Sequence, residues 1–131
     1  MKTIIPLLLL LAACTPAKQS PSENIAREIF NAFNAHDWTK MESLYSPNVE
    51  LVDPSFGTKT GKEGMTEFYK SVPDIHDEVK TVTASGNTVV VEFVSTGTID
   101  GQKFSLPICT VFKIENGLVV SDHTYYDQTN N

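Results

Sequence analysis

Asp53 is the residue of this chain whose setting best suits acid/base chemistry. It ends an alternating segment in which Val49 and Leu51 fall on the same face, so its carboxylate is expected to point where two apolar side chains point. Apolar surroundings let a carboxyl group hold its proton at a higher pH than water does, which acid/base catalysis can use. Because Pro54 follows, the alternative is that Asp53 only makes an Asx-turn with the next backbone amides.

The histidines and the second cysteine offer little further chemistry. His36, His76 and His123 are not at metal-ligand spacing, so neither a metal ion nor another cofactor is expected. Cys109 has no basic neighbour in the sequence that would favour a thiolate, and a small buried side chain is the simpler interpretation. The acidic segment from Asp74 to Glu78 is expected to be a solvated loop.

The first fourteen residues favour export and lipid attachment. Lys2 supplies a positive start, residues 4–11 are apolar apart from one proline, and Leu-Ala-Ala then leads into Cys14. This ending resembles the lipobox of bacterial lipoproteins, which implies that residues 1–13 are a signal peptide and that Cys14 carries acyl chains. The apolar stretch is too short for a transmembrane helix, which needs about 20 residues. A plain signal peptide that is cut nearby is the alternative.

Charge and the lipobox together restrict the partners and the location. The chain has 10 basic and 16 acidic residues and a formal net charge of −6, which argues against nucleic acid and against a polybasic contact with anionic lipid. Membrane contact is therefore expected through the acyl chains on Cys14 alone. The resemblance implies the bacterial cell envelope, at the periplasmic side of the outer membrane if the host is Gram-negative.

The elements that must position Asp53 begin after a short linker. Residues 14–21 have nothing to bury and are expected to be a flexible tether, which leaves residues 22–131 as one domain. Three helices are predicted in its first half: Ser22 caps the first, Asp37 caps the second, and Thr60-Gly61-Lys62-Glu63 is a capping box for the third. The third helix has apolar residues at helical spacing, namely Met65, Phe68, Tyr69 and Val72.

Alternating segments separated by turn residues predict strands in the remainder of the chain. The first is residues 48–53, and the others are residues 78–84, 88–98, 102–114 and 118–126. Asp100-Gly101 and Asn116-Gly117 are strong hairpin signals, because both central residues of a type I′ turn need positive φ. We therefore predict an α+β fold in which three N-terminal helices pack on the concave face of a strongly bent antiparallel sheet. Residues 102–114 are apolar on both faces, which predicts a homodimer through the outer face.

Several segments together resemble one superfamily. They are Asn31 to Trp38, Val49 to Pro54, Thr60 to Tyr69, and Asn116-Gly117-Leu118-Val119 with the residues up to Asp127. These segments look like the nuclear transport factor 2-like superfamily, and within it the SnoaL-like and ketosteroid isomerase-like branch. The resemblance implies a cone-shaped half-barrel that encloses a cavity. It does not fix the reaction, because this fold carries many activities.

The resemblance assigns an isomerase base but not its partners. Asp53 and Pro54 match the aspartate that abstracts the proton in ketosteroid isomerases. The two oxyanion donors of that family fall on Ile29 and Cys109, which donate no hydrogen bond or only a weak one. The arginine that epoxide hydrolases of this fold need also has no match, since Arg27 on the first helix is the only arginine. Whether the protein is an enzyme is therefore left open.

The comparison with SnoaL-like polyketide cyclases adds Asp122 as a second acid/base candidate. By this match Asp122, Thr124 and Tyr126 face the cavity, so two carboxylates would converge on it. A solvated strand residue is the alternative for Asp122. The predicted ligand pocket has mostly apolar walls and consists of Ile29, Trp38, Leu51, Phe68, Cys109, Thr124 and Tyr126.

Three functions follow from these observations. The first is a lipid-anchored module that binds a small, mostly apolar molecule. The second is a carboxylate acid/base enzyme of cyclase, isomerase or dehydratase type, with Asp53 and Asp122 as its catalytic residues. The third is a dimeric adaptor that binds protein through its outer sheet face. We favour the first.

Overall fold

A strongly curved sheet of six strands carries the helices on its concave face. The computed structural model describes residues 13–128, so the predicted signal peptide lies outside the described residues except for its last residue. The elements are α1 (Pro21–Asn34), α2 (Trp38–Ser43), β1 (Tyr45–Asp53), β2 (Gly57–Thr60), α3 (Glu67–Lys70), β3 (His76–Ser85), β4 (Thr88–Ile99), β5 (Gln102–Glu115) and β6 (Leu118–Tyr125). Within residues 13–128 no helix is long and apolar enough to cross a membrane.

The strand order explains how the two ends of the chain meet. The order is β2-β1-β6-β5-β4-β3, and all neighbours are antiparallel except β1 and β6, which run parallel. The α+β fold predicted from the sequence is confirmed, with this one parallel pair as the exception. In the β1–β6 register Leu51 lies beside Asp122. The candidate residues at the end of β1 and in β6 therefore belong to neighbouring strands.

The local signals of the hairpins and of α2 are confirmed. Asp100 and Gly101 have φ of 51° and 77°, and Asn116 and Gly117 have φ of 51° and 78°, as type I′ turns require. Asp37 caps α2 by accepting a hydrogen bond from the backbone N–H of Lys40 at 3.0 Å. These features depend on residues close in sequence, which is why the pattern alone identified them.

The N-cap of α1 lies two residues before the predicted one. Ser20 rather than Ser22 is the N-cap, because its hydroxyl accepts from the N–H of Glu23 at 3.2 Å and Pro21 follows as the first helical residue. The hydroxyl of Ser22 instead donates to the carbonyl of Gly86 at 2.7 Å. This bond ties the start of α1 to the turn between β3 and β4.

The third predicted helix is only a single turn. Thr60 lies in β2, where it pairs with Glu50 of β1, and not in a capping box. Gly61 and Gly64 have φ of +92° and +70°, which no right-handed helix contains, so the helix cannot begin before them. Regular helix is left only in Glu67–Lys70.

The segment predicted as a solvated loop is the start of a strand. β3 begins at His76, and Asp77 is buried. Asn34, the last residue of α1, holds the backbone of Asp77 from both sides: its amide nitrogen donates to the Asp77 carbonyl and its amide oxygen accepts from the Asp77 N–H, each at 2.8 Å. The end of α1 therefore fixes the start of β3.

We expect Asn34→Ala to lower the free energy of unfolding by about 2 kcal/mol, because it leaves the buried N–H and carbonyl of Asp77 without partners. Asn31→Ala, on the exposed side of the same helix, is the matched control and should change stability by less than about 0.5 kcal/mol. Urea denaturation of both variants measures the difference. Equal effects would mean that the bonds of Asn34 do not hold β3 in place.

Candidate functional site

A cavity of about 1400 Å³ lies between the concave face of the sheet and the helices. Its wall is largely apolar and includes the side chains of Ile29, Phe30, Phe33, Leu51, Phe93 and Phe112. Phe56, Phe68 and Ile99 belong to the same wall and are 40–57% exposed, so they lie towards its mouth. Three aspartates, Asp53, Asp77 and Asp122, bring carboxylates into this apolar space.

Asp122 is held by three hydroxyl groups. Its Oδ2 accepts from Tyr45 at 3.0 Å, and its Oδ1 accepts from Thr110 at 2.6 Å and from Thr124 at 3.3 Å. Burial raises the pKa of Asp122 above its ordinary value, while the three hydroxyls favour the ionised form and limit the rise. The sequence placed this carboxylate in the cavity, but it did not indicate the hydroxyls around it.

Asp53 stands at the edge of the cavity and makes a turn as well. Its Oδ1 accepts from the N–H of Ser55 at 2.8 Å and from the Ser55 hydroxyl at 2.6 Å, which is the predicted Asx-turn. The hydroxyl of Tyr126 donates to the same oxygen at 2.7 Å. Asp53 thus lines the cavity and also caps the turn after β1.

Asp77 is the site residue that the sequence analysis missed. It is 6% exposed and lines the cavity from β3, opposite Ser95 of β4. The Ser95 hydroxyl bonds its carboxylate, but Oδ1 has no hydrogen-bond partner among residues 13–128. Burial raises the pKa of Asp77 to about 6, and no cation offsets that effect. The signal that could have found it is the alternation His76, Asp77, Glu78, in which the middle residue alone faces inward.

The carboxylates raise the pKa values of two cavity tyrosines. Tyr69 is close enough to Asp53, Asp77 and Asp122 that, after burial, each of them raises its pKa further. Burial and Asp122 raise the pKa of Tyr45 in the same way. Both phenols therefore stay neutral and can donate hydrogen bonds within the cavity.

The structure brings five of the seven predicted pocket residues into the wall of the cavity and leaves two outside. Ile29, Leu51, Phe68, Thr124 and Tyr126 line the cavity. Trp38 does not, contrary to the prediction, because its ring stacks on His36 at a centroid distance of 5.3 Å and packs behind Tyr69. Trp38 supports the wall without forming it.

Cys109 also lies outside the cavity, on the opposite face of the sheet. Strand alternation in β5 turns the buried Thr110 and Phe112 inward, so Cys109 points outward between Glu92 and Tyr125 of the neighbouring strands. Burial, and secondarily Glu92, raises the pKa of its thiol, which opposes thiolate formation. Thr110 is the β5 residue that faces the carboxylates.

Positive charge is scarce around the cavity. Its described lining holds five acidic residues but only two lysines, Lys59 and Lys103, both exposed. Arg27 is not in the lining, because it pairs with Glu23 on α1 at 2.7 Å. Within residues 13–128 no three His, Cys, Asp or Glu side chains are grouped so that they could hold a metal ion. The described site is thus an apolar cavity with an acidic interior.

We expect Asp77→Asn to stabilise the fold at high pH only. An acid whose pKa is raised from 3.8 to about 6 in the folded state makes the fold lose stability as pH rises between those values. That difference in pKa corresponds to about 3 kcal/mol of stability. Because the new amide will lack a partner of its own, the free energy of unfolding is expected to rise by only about 1 to 2 kcal/mol at pH 8. At pH 4 the gain should vanish.

Urea denaturation of the wild type and of Asp77→Asn at both pH values checks this expectation. Asp74→Asn is a useful control, since Asp74 is exposed and hydrogen-bonded to Thr98. If the free energies of unfolding of the wild type and of Asp77→Asn differ by the same amount at pH 4 and at pH 8, Asp77 does not carry the predicted burial cost.

Solved structures share this architecture along most of the chain. A nuclear transport factor 2-like protein of unknown function from Burkholderia pseudomallei is 22% identical, with 83% of this chain and 92% of that one covered and a TM-score of 0.74. A putative polyketide cyclase from Xanthomonas campestris pv. campestris is 22% identical over 82% and 90% of the two chains, with a TM-score of 0.71. TerC, co-crystallised with polyporic acid, is 22% identical over 82% and 92%, with a TM-score of 0.72.

Sequence comparison decides the family. No curated protein matches the chain. The SnoaL-like domain matches residues 26–122, from the first buried turn of α1 to the carboxylate in β6. Because this range covers most of the chain and contains Asp53, Asp77 and Asp122, the protein belongs to the SnoaL-like domain family.

Proposed function

We propose that this protein is a lipid-anchored envelope protein whose cavity binds a small, mostly apolar molecule. The observation that carries the proposal is the cavity itself: about 1400 Å³ with a wall rich in aliphatic and aromatic side chains, among which carboxylates and hydroxyls are interspersed. Small-molecule sites in proteins have this composition, in which apolar walls supply contact area and a few polar groups fix orientation. TerC, of similar fold, was co-crystallised with polyporic acid.

Acid/base catalysis is the second candidate, and one observation favours it. Three hydroxyls hold Asp122, whose pKa burial raises, while Asp53 in the same cavity caps the turn after β1, so the two carboxylates have unlike surroundings. One structure of this fold is described as a putative polyketide cyclase. The steroid isomerase reaction has less support, because Ile29 offers no hydrogen-bond donor and Cys109 points away from the cavity.

The homodimer and the protein-binding adaptor stay proposals. They rest on the outer face of β4 and β5, where Val94, Cys109 and Val111 are half-buried within the single chain. Tyr125 is 55% exposed beside them. A second copy of this chain would cover these side chains.

The anchor is proposed from the sequence, and the described residues are compatible with it. Cys14 is exposed, and residues 13–20 form no helix or strand before α1 begins at Pro21. An acylated Cys14 could therefore lie in a membrane while the domain stays in the aqueous phase.

Binding in the cavity can be tested with a plugging variant. We expect the full chain in detergent to bind naphthylmethanol, and Leu106→Trp to weaken binding about tenfold or more because the indole fills space next to the apolar wall. Lys113→Trp, at an exposed position of the same strand, is the matched control and should bind normally. Calorimetry, with empty micelles as the blank, gives the affinities. Equal binding by both variants would place the probe outside the cavity.

Lipid attachment can be tested separately. We expect Cys14→Ser to abolish acylation, because the thioether bond to the lipid needs the cysteine sulfur. Intact-mass measurement of the membrane fraction should show a wild-type chain that starts at Cys14 with added acyl mass. A wild-type chain that starts elsewhere without lipid would contradict the anchor and would leave the cavity proposal untouched.

A further inference from the structure

Asp77 lies in the wall of the cavity and has one fully buried carboxylate oxygen without a protein donor. The residue is 6% exposed, it lines the cavity, and no side chain or backbone group of residues 13–128 donates to its Oδ1. Nearly all buried polar atoms in folded proteins have a hydrogen-bond partner. A molecule that packs against Asp77 in the cavity wall could compensate this carboxylate.

The other two cavity carboxylates do not share this property. Asp122 accepts from the hydroxyls of Tyr45, Thr110 and Thr124, so its bonding capacity is largely used by the protein. Asp53 accepts from Ser55 and Tyr126. Asp77 is therefore the carboxylate in the described cavity whose buried oxygen the protein leaves without a donor.

The surroundings of Asp77 favour a positively charged donor over a neutral one. The described side chain that bonds its carboxylate is the neutral hydroxyl of Ser95. The two lysines of the lining are exposed, and the Nζ of Lys59 lies over the ring of Phe56 at 4.5 Å. A neutral donor would complete the hydrogen bond but leave a buried charge uncompensated, whereas a cation supplies both the donor and the opposite charge.

We propose that Asp77 anchors a ligand whose apolar body carries a protonated amine, with the ammonium group paired with the Asp77 carboxylate. The body of such a ligand would pack on Ile29, Leu51 and Phe93. This inference rests on the proposed small-molecule function and adds the chemical class of the ligand. It also explains why the interior of the cavity holds carboxylates without an internal cation.

Three probes of one shape test the proposal: naphthylmethylamine, naphthylmethanol and naphthoate, substituted at the same ring position. We expect the full chain at pH 8 to bind the amine about tenfold or more tightly than the alcohol, and the acid more weakly than both. Asp77→Asn should abolish the preference for the amine and keep the affinity for the alcohol within about twofold. Asp77→Ser also removes the charge, so it should likewise lose the preference for the amine and keep the affinity for the alcohol.

The outcomes separate this inference from the function on which it rests. Binding of the alcohol that Leu106→Trp prevents would support the cavity function. If in that case the amine binds the wild type no better than the alcohol does, the amine anchor is wrong. The anchor is also wrong if the amine keeps its advantage over the alcohol in both Asp77 variants. If no probe binds the wild type, both proposals fall. A preference for the amine that both Asp77 variants lose supports the anchor.

Discussion

The parallel pairing of β1 with β6 is the contact on which the rest of the cavity depends. It places β6, the last strand, between β1 and β5. Because β1 and β6 run parallel, their C-terminal ends lie at the same end of the sheet. Leu51 and Asp122 are neighbours in this register, and the 2.7 Å bond from Tyr126 to Asp53 joins the two strands where they end. Without this pairing the two candidate carboxylates would not share one cavity.

Three carboxylates in apolar surroundings create an energetic problem that the fold meets in three ways. Asp122 is half-buried and is compensated by three hydroxyls, while Asp53 is compensated by the turn that it caps. Asp77 is buried with only Ser95 to offset the loss of water. Burial penalises an ionised carboxylate more strongly than a hydrogen bond from a single hydroxyl can compensate. Asp77 therefore keeps the largest uncompensated desolvation cost of the three.

Local patterns predicted those parts of the fold that depend on neighbours in sequence. Alternation and the Asp-Gly and Asn-Gly turns gave the strands from residue 76 onward to within a few residues, and Asp37 marked α2 correctly. Apolar spacing overestimated the third helix, because Gly61 and Gly64 adopt positive φ and end any helix between residues 60 and 66. The short β2 and the parallel β1–β6 pair left no local signal, since each is defined by its partner strand.

The site was less predictable because its members are set by contacts between distant residues. Cys109 was aligned to a cavity position by family resemblance, but the alternation of β5 turns Thr110 inward in its place. Asp77 looked like part of a solvated acidic loop, and the residue that buries it is Asn34, 43 positions away in the sequence. A buried aspartate kept only for structure would be expected to have donors for both oxygens, as Asp122 has. The chain instead retains at Asp77 a charge that costs stability, and sites that break the rules of a well-packed core in this way are where function is expected.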